Sequence, residues 1–273
     1  MSAMTDAREF RLTRPDNVEI TVQVEGKGPA VTLIHGVGAD AASWDRIAER
    51  LVGQFTVVRA DLRGHGQSSR IEQCDVSDFV DDLLATLDGA DVASTDLVGF
   101  SLGGLIAQWF AIGNPKRVRK LILLSTVAER TPAERARVLE RADKVRDQGI
   151  ASVVSAAEDR WFTPAFKLAN PEKVALRLSQ LKANDHRSYA AAYRVFAQAD
   201  EGINFANIRC PTLVATGEND IGSNPRMARR MHEAILGSRL VILPELRHSI
   251  LMEAPDSIAD LILEFLAPAT SAT

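Results

Sequence analysis

At 273 residues, 46% hydrophobic and 25% charged, the chain has the composition of a soluble globular protein and enough length to bury a large core without disulfide or metal staples. A net charge of −4 with no basic block argues against a nucleic-acid partner. The two cysteines, Cys74 and Cys210, are far apart and lack CxxC or Cys/His neighbours, so they read as reduced thiols. Charged residues scattered between Asp6 and Glu19 leave no apolar stretch for a signal peptide, and no segment approaches the roughly 20 apolar residues of a membrane helix. The expectation is a cytoplasmic protein with no membrane partner.

In chain order, residues 9–13 and 18–24 read as two short strands, the second alternating at Val18, Ile20, Val22 and Val24. Arg14-Pro15-Asp16-Asn17 supplies the turn of an antiparallel hairpin. The pattern then changes to continuous apolar runs at residues 30–34, 56–58, 97–100, 121–124, 212–215 and 240–243, as strands covered on both faces require. Between them lie apolar stripes at helical spacing: Trp44, Ile47, Ala48 and Leu51; then Phe79, Leu83 and Leu87; then residues 102–111, stopped at Gly113-Asn114-Pro115; and finally Ile258, Leu261, Ile262 and Phe265. This alternation predicts an α/β fold, a mostly parallel sheet with helices on both faces. From about residue 128 to 207 no buried strand appears, only helix-like segments rich in Arg, Ala and Leu. A stretch that long is an inserted helical lid over the strand ends, giving a core of 1–127 and 208–273 and a cap of 128–207.

Gly99-Phe100-Ser101-Leu102-Gly103 matches G-x-S-x-G. Chance alone produces that pattern in roughly one chain in ten, so its context decides. It follows one apolar run and opens a helix, the setting of a nucleophile elbow. A serine hydroxyl is a weak nucleophile at neutral pH and needs a base. Of the five histidines, His248 is preferred, in a late loop just before the last helix. His65, among tight turns, is expected to pack or bond backbone; His232 to be exposed on a helix; His186, in the lid, to reach a substrate. The orienting acid is sought after the run at 212–215, where Asp220 is favoured and Glu218 is the alternative. The oxyanion of a tetrahedral intermediate needs backbone donors, for which the N–H groups of Leu102 and Val37 are candidates.

These features together resemble the α/β-hydrolase superfamily, over nearly the whole chain: His35-Gly36, the run at residues 61–68, the elbow, Gly217-x-x-Asp220, and His248 ahead of Glu253-Ala254-Pro255. The resemblance implies an eight-stranded sheet with the lid inserted after the sixth strand. A serine in place of an aspartate nucleophile argues against dehalogenase or epoxide hydrolase chemistry. Gly103-Gly104-Leu105-Ile106-Ala107-Gln108-Trp109, Asn114-Pro115 and Arg160-Trp161-Phe162-Thr163 look most like 3-oxoadipate enol-lactonases, which open an anionic enol-lactone in aromatic catabolism; the chain departs from them at His35-Gly36. What this implies is an ester, lactone or related acyl hydrolase, with Arg160, Trp161 and His35 at a small, carboxylate-bearing substrate. Arg135, Arg137 and Arg141, at surface spacing, read as solvated. The same framework serves C–C bond hydrolases, acyl transferases and non-catalytic ligand-binding proteins. No metal cluster or nucleotide motif appears, so no metal and no cofactor are implied; a homodimer is compatible with the sequence.

Overall fold

The computed structural model describes residues 7–268; the last residues of the Ala/Ser/Thr-rich tail lie outside that range. Its centre is an eight-stranded sheet of order β1-β2-β4-β3-β5-β6-β7-β8. The strands are β1 (Arg8–Thr13), β2 (Glu19–Glu25), β3 (Ala30–Ile34), β4 (Thr56–Ala60), β5 (Thr95–Phe100), β6 (Val118–Leu124), β7 (Thr212–Gly217) and β8 (Arg239–Leu243). β1 and β2 form the expected hairpin, and β2 also meets β4 antiparallel. Every other pairing is parallel. At the hairpin turn Asn17 takes φ +62°, a left-handed conformation that asparagine tolerates.

The continuous apolar runs have a direct cause. Along β6, Leu121 and Leu123 enter one apolar cluster while Ile122 and Leu124 enter the other. Consecutive side chains of a strand point to opposite faces, so a strand with helices on both sides must be apolar at every position. One face is covered by α1 (Asp45–Leu51) and, near the C-terminus, by a helix of residues Pro255–Leu266. Ile47, Leu51, Ile258 and Ile262 meet there with the fully buried Trp44. The other face carries α2 (Val76–Gly89) and α3 (Leu102–Gly113), through Phe79, Leu87, Leu105 and Phe110.

Between β6 and β7 the chain forms five helices: α4 (Pro132–Gln148), α5 (Val154–Trp161), α6 (Pro164–Ala169), α7 (Pro171–Ala183) and α8 (His186–Gln198). After β7 come α9 (Pro225–Ala234), α10 (Ile250–Glu253) and α11 (Pro255–Leu266). The two ends of the inserted stretch are clasped together. Asp200, with no exposed side-chain surface, accepts from the Arg130 backbone N–H (3.1 Å) and from the Arg130 guanidinium (2.8 Å). Arg135 adds a third donor at 3.1 Å, so it is not the solvated arginine its helical spacing suggests. The Arg130 guanidinium also lies over the Phe196 ring at 4.7 Å. Elsewhere Ser188 on α8 bonds both the N–H and the C=O of Ile71 (2.9 and 3.1 Å), and Trp109 on α3 donates to Ala199 at 2.8 Å.

Removing one partner of a buried ion pair strands the other charge in a low-dielectric interior. Asp200→Ala should therefore lower stability by about 3–5 kcal/mol in urea unfolding. Glu201→Gln, which removes only an exposed carboxylate 3.9 Å from Arg135, should cost under about 1 kcal/mol. Equal losses in the two variants would contradict the clasp.

Candidate active site

Ser101 stands between β5 and α3 with φ +55° and ψ −115°, strain of the order of 1–3 kcal/mol for a residue with a Cβ. The surroundings hold it there. Its N–H donates to Leu124 O at 2.9 Å, and Thr126 Oγ1 donates to its carbonyl at 2.8 Å. The glycines of the motif are there for space: a Cβ at Gly99 would sit 2.3 Å from Gly103 O, and one at Gly103 would sit 2.2 Å from Ile34 O. The start of α3 is thus packed directly against the end of β3.

His248 lies in the loop after β8 and Asp220 in the loop after β7. The loops are joined by backbone: Asn219 N–H donates to Leu246 O at 2.9 Å, and Gly217 is so close to the histidine loop that a Cβ would lie 2.4 Å from Arg247 O. Asp220 Oδ2 is 2.7 Å from His248 Nδ1, and its Oδ1 accepts from Gly222 and Ser223 N–H, both at 2.9 Å. Burial alone would raise the Asp220 pKa, but the imidazole and the two amides more than offset it and hold the carboxyl below its ordinary range. A carboxylate at Nδ1 keeps the proton on that nitrogen and turns the Nε2 lone pair outward. Nε2 faces Ser101 Oγ at 3.1 Å. Phe100 lies against the imidazole, ring centroids 5.2 Å apart. Glu218, the alternative acid, is exposed and accepts from the Glu245 N–H instead.

Gly36 brings the loop after β3 against the serine, where a Cβ would come within 3.1 Å of Ser101 Cβ. That close approach brings the loop that carries Val37 up to Ser101. Leu102 begins α3, so its N–H has no preceding turn to bond. Both candidate oxyanion donors thus belong to segments in contact with Ser101.

His35 is a correction. It is completely buried, its Nδ1 bonded to Gly36 O (2.8 Å) and its Nε2 accepting from Leu62 N–H (3.0 Å). With both nitrogens committed beneath the loop, it shapes the backbone and does not reach a substrate. His65 bonds Arg63 O at 3.0 Å, as expected of it. His186 is turned away from the cavity to bond Val145 O, and His232 is half-buried against Ser238.

A cavity of about 970 Å³ opens above Ser101 and His248. Arg160 and Trp161 line it, as does Arg141, which donates to Tyr193 Oη at 2.9 Å. Arg141 is thus no solvated surface residue. Arg177 on α7 lines it too. Nothing in the sequence singled Arg177 out, because one arginine in a Lys/Arg/Leu-rich helix has the signature of a solvated face. Trp161 is fixed to the histidine loop: its carbonyl accepts from Ser249 N–H at 3.0 Å, while Glu253 takes the Thr163 N–H (2.7 Å) and hydroxyl (2.8 Å) on one oxygen and the Arg247 N–H (3.0 Å) on the other.

The strand-serine-helix turn, the order serine, acid, histidine, and the sheet topology define one protein class, and residues 29–255 match the model of the alpha/beta hydrolase fold family. The chain belongs to that family. Among curated relatives it is 33% identical over 240 residues to an (E)-2-((N-methylformamido)methylene)succinate hydrolase of Acinetobacter baylyi, covering 86% of this chain and 89% of the relative. It is 29% identical to 3-oxoadipate enol-lactonase 1 of the same organism, covering 80% and 82%. Among solved structures, an enol-lactonase from Burkholderia xenovorans superposes with TM-score 0.88 at 25% identity, covering 94% of this chain and 99% of that one. Among the described residues no helix is long and apolar enough to cross a membrane.

Burial pushes the His35 pKa from 6.5 to about 4; burial together with the neighbouring His35 takes His65 to about 3. On unfolding both become ordinary histidines, so between pH 6.5 and about 4 the unfolded chain binds protons that the folded chain does not. Stability from this source is full above pH 6.5 and is lost as pH falls toward the folded values. Urea midpoints should fall between about pH 7.5 and about pH 5, and His65→Asn should flatten that slope. A slope unchanged by His65→Asn would contradict the assignment.

Proposed function

We propose that the chain is a serine hydrolase that cleaves an ester, lactone or related acyl bond in a small, carboxylate-bearing substrate. The observation that carries the reading is the hydrogen-bonded series Asp220–His248–Ser101 at the floor of a closed-in cavity. Ser101 Oγ attacks the acyl carbon as His248 Nε2 takes its proton, and Asp220 stabilises the imidazolium that results. The oxyanion of the tetrahedral intermediate accepts from the Val37 and Leu102 N–H groups, a contribution of about 2.7–4 kcal/mol per donor. His248 then protonates the leaving group. An activated water repeats the sequence on the acyl-enzyme and frees Ser101.

The substrate class is supported by the arginines that line the same cavity as Ser101, where, among the described residues, Arg160 has no ion pair with a carboxylate and Arg141 bonds a phenol. Burial lowers the Arg160 pKa, and Arg141 nearby adds to that, so an arriving carboxylate would relieve both effects. The relatives point the same way, since their names are those of a succinate derivative hydrolase and an oxoadipate lactonase. We place the reaction in the cytoplasm, with residues 128–207 acting as the cap that encloses it.

Wild-type protein should be labelled by a fluorophosphonate and should hydrolyse short acyl esters and enol-lactones. Ser101→Ala should abolish both, and Asp220→Asn should lower kcat about 10⁴-fold with the fold intact. Labelling that survives in Ser101→Ala would overturn the assignment.

A further inference from the structure

Arg177 differs from the other arginines of the cavity. Its Nη1 is fully enclosed and, among the described residues, has no hydrogen-bond partner, and its guanidinium lies over the Trp161 ring at 4.7 Å. No ion pair joins it to a described carboxylate; Asp40 and the Tyr189 phenol are the groups whose charge bears on it. A stacked, desolvated guanidinium with an idle donor is costly to keep, because the charge has lost its water and gained no anion. The cost falls if a ligand in the cavity brings an anion to the guanidinium.

Its position within the cavity is also distinct. The charges that bear on Arg160 are those of Arg141, Tyr193, Tyr189 and Asp220. The charge of Arg177 bears instead on His35, His65 and Asp40, which puts it by the loop after β3. The Tyr189 phenol, which lines the same cavity, feels the charge of both guanidiniums. Two arginines on the wall of one cavity, neither with an ion pair to a described carboxylate, suit a ligand with two anionic ends. A cavity of about 970 Å³ has room for such a molecule along with its reacting acyl group.

We propose that Arg177 is a specificity-determining residue that binds a second carboxylate of the substrate, so that the preferred substrates are small acyl compounds bearing two free carboxylates, one held by Arg160 and one by Arg177. The proposal rests on the reading of Ser101 as the nucleophile and extends it. The guanidinium offers two parallel N–H donors to a carboxylate, and Trp161 beneath it holds the plane of the fork in place.

Three methyl esters separate the cases: methyl butyrate with no free carboxylate, monomethyl succinate with one, and the monomethyl ester of propane-1,2,3-tricarboxylate with two. Wild-type kcat/KM should rise with each carboxylate. Arg177→Gln should reduce the ratio of the two-carboxylate to the one-carboxylate ester roughly 30-fold, chiefly through KM, and Arg177→Lys should restore part of it. An equal loss on all three esters, as a merely structural arginine would give, or no change in the ratio, overturns the proposal. Calorimetric binding of propane-1,2,3-tricarboxylate to Ser101→Ala protein, with and without Arg177→Gln, tests the anion site without turnover. Affinity that falls roughly 30-fold with the second substitution supports the site even if the hydrolase reading fails, and affinity left unchanged removes it even if that reading holds.

Discussion

The contact between Gly103 and the carbonyl of Ile34 is the constraint on which the site's geometry depends. It lets the first turn of α3 lie on the end of β3, and both oxyanion candidates belong to those two pieces of chain. Ser101 keeps its unfavourable backbone angles because Leu124, Thr126 and the abutting glycines leave no other arrangement. Any side chain at Gly103 would push Ser101 away from both candidate donors, so the strain at one residue and the placing of the other two are a single packing problem.

The remainder of the site is assembled from loops at the ends of parallel strands. β7 and β8 are adjacent in the sheet, so the turns that leave them are adjacent as well, and a few backbone hydrogen bonds suffice to bring Asp220 to His248. The same sheet order puts β5 beside β3 and β6, which carry the loop of the candidate donor Val37 and the residues that brace Ser101. Parallel pairing delivers all of these ends to one edge of the sheet.

Some of this was legible in the amino-acid sequence because local chemistry leaves local marks. Doubly buried strands must be apolar throughout, and a serine in a glycine-flanked strand-to-helix turn has few other uses. The arginines were legible only in part. Arg135 and Arg141 read as solvated because helical spacing shows which residues share a face and not what that face will meet. Asp200, which claims Arg135, lies far along the chain, and the cavity that receives Arg141 and Arg177 exists only once five helices have folded over the sheet. His35 failed for the opposite reason. Its place at a strand end matched a substrate contact, but both ring nitrogens are taken up by backbone.

Glu253 gives the inserted helices an unequal freedom. Through its two oxygens the segment carrying Trp161 is bonded to the loop carrying His248, so that strip of wall moves with the imidazole or does not move. Among the described residues the helix bearing Arg177 has no hydrogen bond to that loop and meets it only indirectly, through the stacking of Arg177 on Trp161. If the entrance widens to admit a molecule, the displacement falls more easily on that helix and its neighbours, while the surface beside His248 stays in register. The roof would then work as a door with a fixed jamb: one margin set by the chemistry, the other yielding to whatever enters.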